Sequence, residues 1–189
     1  MKKIIFFVVA GYFLSACGPQ SDPIFNYQSP YKHNDYAFVK AAHGFIGLHE
    51  KEDRSKIKDL TGVDPVHTEW CAAFVNSILK LNNVAGSESV NEYPLMARSF
   101  LFWGIDVWEP RIGDIVVFPR GDAGWKGHVG FYIETRIIDG IDYYVILGGN
   151  QKNKVGYELY PAYKALSIRR SAPVPSKRPS QSKPPYDHG

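Results

Sequence analysis

A cysteine works as a nucleophile only where its thiolate is stabilised and a base stands within reach. The 189-residue chain has two cysteines, Cys17 and Cys71. Cys71 lies in Thr68-Glu69-Trp70-Cys71-Ala72-Ala73-Phe74-Val75, soon after the turn-forming Asp64-Pro65. A helix that starts near Thr68, with that hydroxyl as its cap, puts Cys71 in the first turn. Unpaired backbone N–H groups and the positive end of the helix dipole favour thiolate there, which predicts a thiol pKa below the free value of about 8.5. A base is offered by His128, which begins the alternating run His128-Val129-Gly130-Phe131-Tyr132-Ile133. Alternation turns Val129, Phe131 and Ile133 to one face and His128 to the other. The next β-prone run ends in Gly148-Gly149-Asn150-Gln151, where glycines permit close backbone approach. The Asn150 carbonyl at that strand end can accept the imidazole Nδ1–H and fix the tautomer, leaving Nε2 toward the sulfur. Each feature alone also reads as plain structure: a core cysteine, a structural histidine, a turn.

The elements that must position these residues divide the chain in two. Asp35–His49 carries Phe38, Ala42, Phe45 and Leu48 as one apolar stripe, the spacing of a helix. Lys51–Leu60 is a charged helical segment stopped at Gly62, Trp70–Leu81 is a helix with Phe74, Ile78 and Leu81 on one face, and Pro94–Trp103 is a short helix before Gly104. Asp114–Phe118, His128–Glu134, Tyr143–Leu147, Val155–Tyr160 and Ala165–Arg169 are short β-prone runs separated by Gly, Pro and Asp. Helices first and an antiparallel-type sheet second predict an α+β domain.

With helix, strand and next strand bearing Cys71, His128 and Asn150 in that order, the segment from Gly62 to Gln151 resembles the NlpC-type and CHAP-type cell-wall cysteine peptidases. The likeness rests on WCAAFVN at Trp70–Asn76, ARS at Ala97–Ser99, GDIVVF at Gly113–Phe118, GHVGFY at Gly127–Tyr132 and LGGNQ at Leu147–Gln151. It implies a papain-like fold, with N-terminal helices packed on an antiparallel sheet. It also implies Cys71 as nucleophile, His128 as general base and then acid, and Asn150 as the orienting residue. Trp70, Trp125 and Gln151 are the candidates for substrate contact. Trp125 stands in the loop just before His128, whereas Trp70 reads equally as core or cleft wall. Asn76 and Arg98 recur in the likeness, and packing or hydrogen bonding explains both. HExxH and Cys/His clusters are absent from the sequence, so no metal or other cofactor is expected.

The N-terminus addresses location. Lys2 and Lys3 precede an apolar run of 11 residues, Ile4–Leu14, well short of the roughly 20 needed to span a bilayer. Leu14-Ser15-Ala16-Cys17 follows and resembles the lipobox of bacterial lipoproteins. The likeness implies a signal peptide over residues 1–16 and lipid on Cys17, an anchor on a bacterial membrane and on the periplasmic side of the outer membrane where one exists. Residues 17–30 read as a tether, 31–170 as the folded domain, and 171–189, with five of the 13 prolines, as a disordered tail. With Cys17 acylated, Cys71 is left without a disulfide partner.

Composition is that of a globular protein, with 44% hydrophobic and 22% charged residues. The formal charge is +3. Setting aside Lys2 and Lys3, and the tail's Lys177, Arg178 and Lys183 against Asp187, leaves a body close to neutral, with no electrostatic footprint for nucleic acid. The expected function is a lipid-anchored cysteine hydrolase that cleaves an amide bond in peptidoglycan, as amidase or endopeptidase on the stem peptide. The alternatives are a non-catalytic wall-binding lipoprotein of the same fold and a thioester-forming acyl transferase.

Overall fold

Backbone that turns through two consecutive positive-φ residues matches the twist of paired strands, and the chain does this twice. Asp139 and Gly140 have φ of 51° and 76°, and Lys152 and Asn153 have φ of 52° and 66°. These turns make an antiparallel meander of residues 127–161. In the computed structural model, which describes residues 35–172, helices α1 (Asp35–His43), α2 (Arg54–Thr61) and α3 (Cys71–Leu81) come first. Strands β1 (Ile105–Val107), β2 (Ile115–Pro119), β3 (Gly127–Ile138), β4 (Ile141–Gln151), β5 (Lys154–Pro161) and β6 (Ser167–Arg170) follow. They form a single six-stranded antiparallel sheet in the order β1-β6-β2-β3-β4-β5, so the domain is α+β. The expected signal peptide, the expected lipidation site Cys17, the expected tether and all but the first two residues of the proline-rich tail lie outside the described residues.

Both faces of the sheet are covered. Ile115, Val117, Val129, Phe131 and Leu147 are buried on the helix side, where Phe38 of α1 meets Phe131 at 6.1 Å between ring centroids. Val116, Phe118, Tyr132, Ile146 and Ile168 form a second cluster, with Tyr144 and Tyr160 packed against it. The continuous apolar run in β2 follows from burial on both faces.

Three helical expectations are revised. The first helix ends at His43 rather than His49. Gly44 and Gly47 weaken a helix there, and the Gly47 N–H and Leu48 carbonyl pair instead with Val155 at 2.9 Å each, covering the start of the β5 edge. Pro94–Trp103 contains a 3-10 turn over Ala97–Phe102 and no α-helix. Its buried apolar side chains are Ala97, Phe100 and Trp103, at the spacing of three that is the 3-10 period, and Ser99 is buried beside them. Thr68 is not a cap: Trp70 occupies that position on α3 and makes no side-chain capping bond. By contrast, α2 does stop at Gly62, in the left-handed region with its N–H on the Lys58 carbonyl.

Candidate thiol–imidazole site

Helix α3 is buried on nearly every side, so its start can approach the sheet closely. Gly149 sets how closely. A Cβ there would lie 2.5 Å from Trp70 Cζ3 and 2.7 Å from Phe74 Cβ, so only glycine lets the end of β4 pass under Trp70. Cys71, the first residue of α3, thereby comes near β3, and the backbone N–H groups of Val129 in β3 and of Ala72 in its own helix act on its sulfur. Those amides and the charge of Arg120 favour the thiolate, but burial outweighs them. Cys71 is 3% exposed, and desolvation pushes its thiol up from the ordinary value, with Glu69 adding to the shift. The expected depression of this pKa is thus reversed: a first-turn position helps less than enclosure costs.

His128 sits next to Val129 near the start of β3, opposite Phe118 of β2. Its ring lies nearly parallel to Tyr160, at 5.2 Å and 14°, and Tyr160 in turn stacks on Phe118 at 4.6 Å. Nε2 is 3.1 Å from Gln151 Oε1. The Gln151 amide nitrogen donates to the carbonyls of Ile146, at 3.1 Å, and Gly156. With its NH2 committed to carbonyls, Gln151 presents only an acceptor to the ring, so Nε2 carries the hydrogen and donates it. Nδ1 is then the lone-pair nitrogen, and it is buried with no hydrogen-bond partner. Burial, with help from the nearby Arg120 charge and against the Gln151 bond, lowers the His128 pKa to about 4. Burial thus favours the neutral thiol and the neutral imidazole, and no hydrogen bond joins the two.

The amide that meets the imidazole is Gln151, not Asn150. The register Phe131↔Leu147, carried on three residues, would set His128 opposite Asn150. An irregularity between Gly148 and Gln151 places one extra residue in β4, which reverses the alternation beyond it. Gln151 then shares the face of His128, and Asn150, at φ 56°, turns away to donate from Nδ2 to Glu69 Oε2 at 2.7 Å. The same correction removes Gln151 from the substrate-contact set, since it is buried and fully engaged. Trp70 leaves that set as well, being wholly enclosed at 0% exposure. Trp125 remains open at 62%, with Lys126 Nζ 5.4 Å from its ring centroid. Its loop is tied down by Arg98 Nε donating to the Lys126 carbonyl at 2.9 Å. Asn76 is structural, donating to the Pro94 carbonyl at 2.9 Å and accepting from the Ser87 N–H at 2.9 Å.

Three further residues join the surroundings of the pair: Tyr160 on the imidazole, and Glu69 and Arg120, which pair at 2.5 Å. Two adjacent glycines inside a β-prone run were the available sequence signal for the bulge. Nothing in the sequence singled out Arg120 or Tyr160. Among the described residues no group of three His, Cys, Asp or Glu is arranged to hold a metal ion. No family model, curated protein or solved structure matches this chain.

Proposed function

We propose that Cys71 and His128 form the working pair of a papain-like thiol hydrolase, lipid-anchored through Cys17, that cleaves an amide bond in peptidoglycan. One observation carries the reading: an enclosed imidazole whose Nε2–H is held by a locked amide while its basic Nδ1 has no partner. A structural histidine in a core satisfies both nitrogens, because an unpaired buried acceptor costs about 1–3 kcal/mol. The open lone pair at Nδ1 is on the residue next to Val129, whose N–H acts on the Cys71 sulfur, and it is the nitrogen to which the thiol proton would pass.

In this mechanism Nδ1 removes the Cys71 proton as the sulfur attacks the substrate carbonyl, so imidazolium forms only during reaction. The Gln151 carbonyl stabilises that imidazolium through Nε2–H. The Cys71 backbone N–H, at the start of α3, is the default donor to the developing oxyanion. The imidazolium then gives its proton to the departing amine, leaving a thioester that water resolves. The peptidoglycan substrate and the anchor draw on the sequence motifs. The enclosure of Cys71 favours a second reading, a wall-binding protein without catalysis. Mass spectrometry of purified peptidoglycan after incubation with the protein separates the two. Cleaved stem peptides that vanish with Cys71→Ala support hydrolysis, and intact peptidoglycan with retained binding supports the second reading. Products joined to an added amine would make the enzyme a transferase.

A further inference from the structure

Strand β3 outruns its neighbour β2. The two pair only from Gly127 to Phe131 of β3. The last backbone bonds on that side run from the Tyr132 N–H to the Asp114 carbonyl, at 2.7 Å, and from the Gly113 N–H to the Tyr132 carbonyl, at 2.9 Å. Among the described residues, 134–138 pair with β4 alone, so this stretch is an open sheet edge. An open edge is a template for another strand, and proteins blunt it with proline, lysine, short length or a cover. Here Thr135, Arg136, Ile137 and Ile138 are all exposed, Ile137 at 73%, and the stretch holds no proline, glycine or lysine. We propose that the edge at residues 134–138 is a docking surface for a second copy of this chain, whose own edge adds to it antiparallel about a two-fold axis at Thr135.

The charges on this edge select both partner and register. Glu134 and Arg136 stand two residues apart on one face of β3, where Arg136 Nε donates to Glu134 Oε1 at 2.6 Å. Their side chains are 45% and 57% exposed, so the pair is weak and free to exchange partners. In an antiparallel pairing centred on Thr135, Glu134 of each copy stands opposite Arg136 of the other. Directly opposite residues have Cβ atoms about 4.5–5.5 Å apart, close enough for both ion pairs to form across the seam. Moving the axis to Arg136 sets two arginines face to face, and moving it to Glu134 sets two glutamates face to face, which is destabilising. An unrelated strand matches one acid and one base only by chance. A copy matches them twice, as an isologous contact requires. The β-branched Thr135, Ile137 and Ile138 suit an extended neighbour. The seam is short, which puts the dimer in the weak, concentration-dependent class.

Sedimentation equilibrium of the full chain measures the association, in density-matched detergent that keeps the apolar residues 4–14 in solution. The wild type is expected to pass from monomer to dimer at concentrations up to about 0.3 mM. Glu134→Arg and Arg136→Glu each turn two attractive pairs into two repulsive ones, and each weakens self-association by about tenfold or more. An equimolar mixture of these two variants restores opposite charges across the seam and regains the dimer, as does the double swap Glu134→Arg/Arg136→Glu. The mixture is the decisive arm, because the pair within each chain stays broken and only the pairs between chains are mended. Circular dichroism checks each fold, and if one single variant fails to fold, the double swap set against the other carries the comparison. A wild type that stays monomeric throughout overturns the proposal. So does a dimer that the charge changes leave unmoved, which is held through another surface, and so do single variants that remain apart when mixed.

Discussion

Burying an imidazole withholds its proton, and the cost falls in a definite pH window. His128 has a folded pKa of about 4 against an ordinary value of 6.5. Between these the unfolded chain takes up a proton that the folded chain refuses. Its contribution is therefore complete above about pH 6.5 and is lost as pH falls toward 4, by roughly 3 kcal/mol for a shift of this size. Asp64, which Arg54 holds down to about 2, loses its contribution only below that window. Urea unfolding of the wild type at pH 7.5 and 4.5 is expected to show the loss, and His128→Gln to flatten it. A second residue-scale expectation distinguishes Gln151 from Asn150. Gln151→Leu removes the acceptor that selects Nε2–H, so nitrogen NMR shifts of His128 change from one tautomer to a mixture, and any hydrolysis falls about 10²-fold. Asn150→Ala leaves the tautomer alone. The places of Cys71 at a helix start and of His128 near a strand start were legible from local patterning, because both are short-range features. The choice between adjacent amides was not, since it depends on one inserted residue and its pairing across to β5.

At the scale of elements, period carried most of the information. Helical spacing located α3 and most of its buried face, with Phe74 and Ile78 enclosed but Leu81 left 58% exposed at the helix end, and alternation located β3. Boundaries followed partners instead. α1 yields to the β5 edge, and the Ala97–Phe102 turn adopts the tighter helix that brings Ala97, Phe100 and Trp103 into line. The contact between α3 and the β4 bulge gives a direct test. In Gly149→Ala the added methyl meets the Trp70 ring and Phe74 Cβ, both core groups with nowhere to move. The expected loss is about 1–3 kcal/mol, the range for overpacking a filled core. Gly156→Ala is the matched control, for its methyl meets nothing within 4 Å. Chemical denaturation of the two variants is expected to separate them by at least 1 kcal/mol or so, with Gly149→Ala the weaker.

For the whole molecule, the last strand joins what the first ones leave apart. β6 inserts between β1 and β2, contributing Ile168 to the cluster with Val116 and Phe118. Arg169 Nε donates to the Trp103 carbonyl at 2.6 Å, fastening the 3-10 segment to the sheet. Arg170 forms a two-pronged pair with Asp114, at 2.9 and 2.6 Å, and Asp114 also accepts the Arg111 N–H at 2.7 Å. No pattern in the sequence announced this closure, since the partners are 56 positions apart and each looks like an ordinary surface charge. Asp114 is in fact fully buried. Its carboxylate has given up water and depends on the guanidinium for compensation, so removing one partner is worse than removing both. Arg170→Met should cost about 3–5 kcal/mol. Asp114→Asn/Arg170→Met should cost clearly less than the two single changes added, because asparagine carries no charge and still accepts the Arg111 N–H. Urea denaturation of the four proteins in this cycle measures the coupling. Strict additivity would mean that β6 is held by its backbone ladder and Ile168 alone.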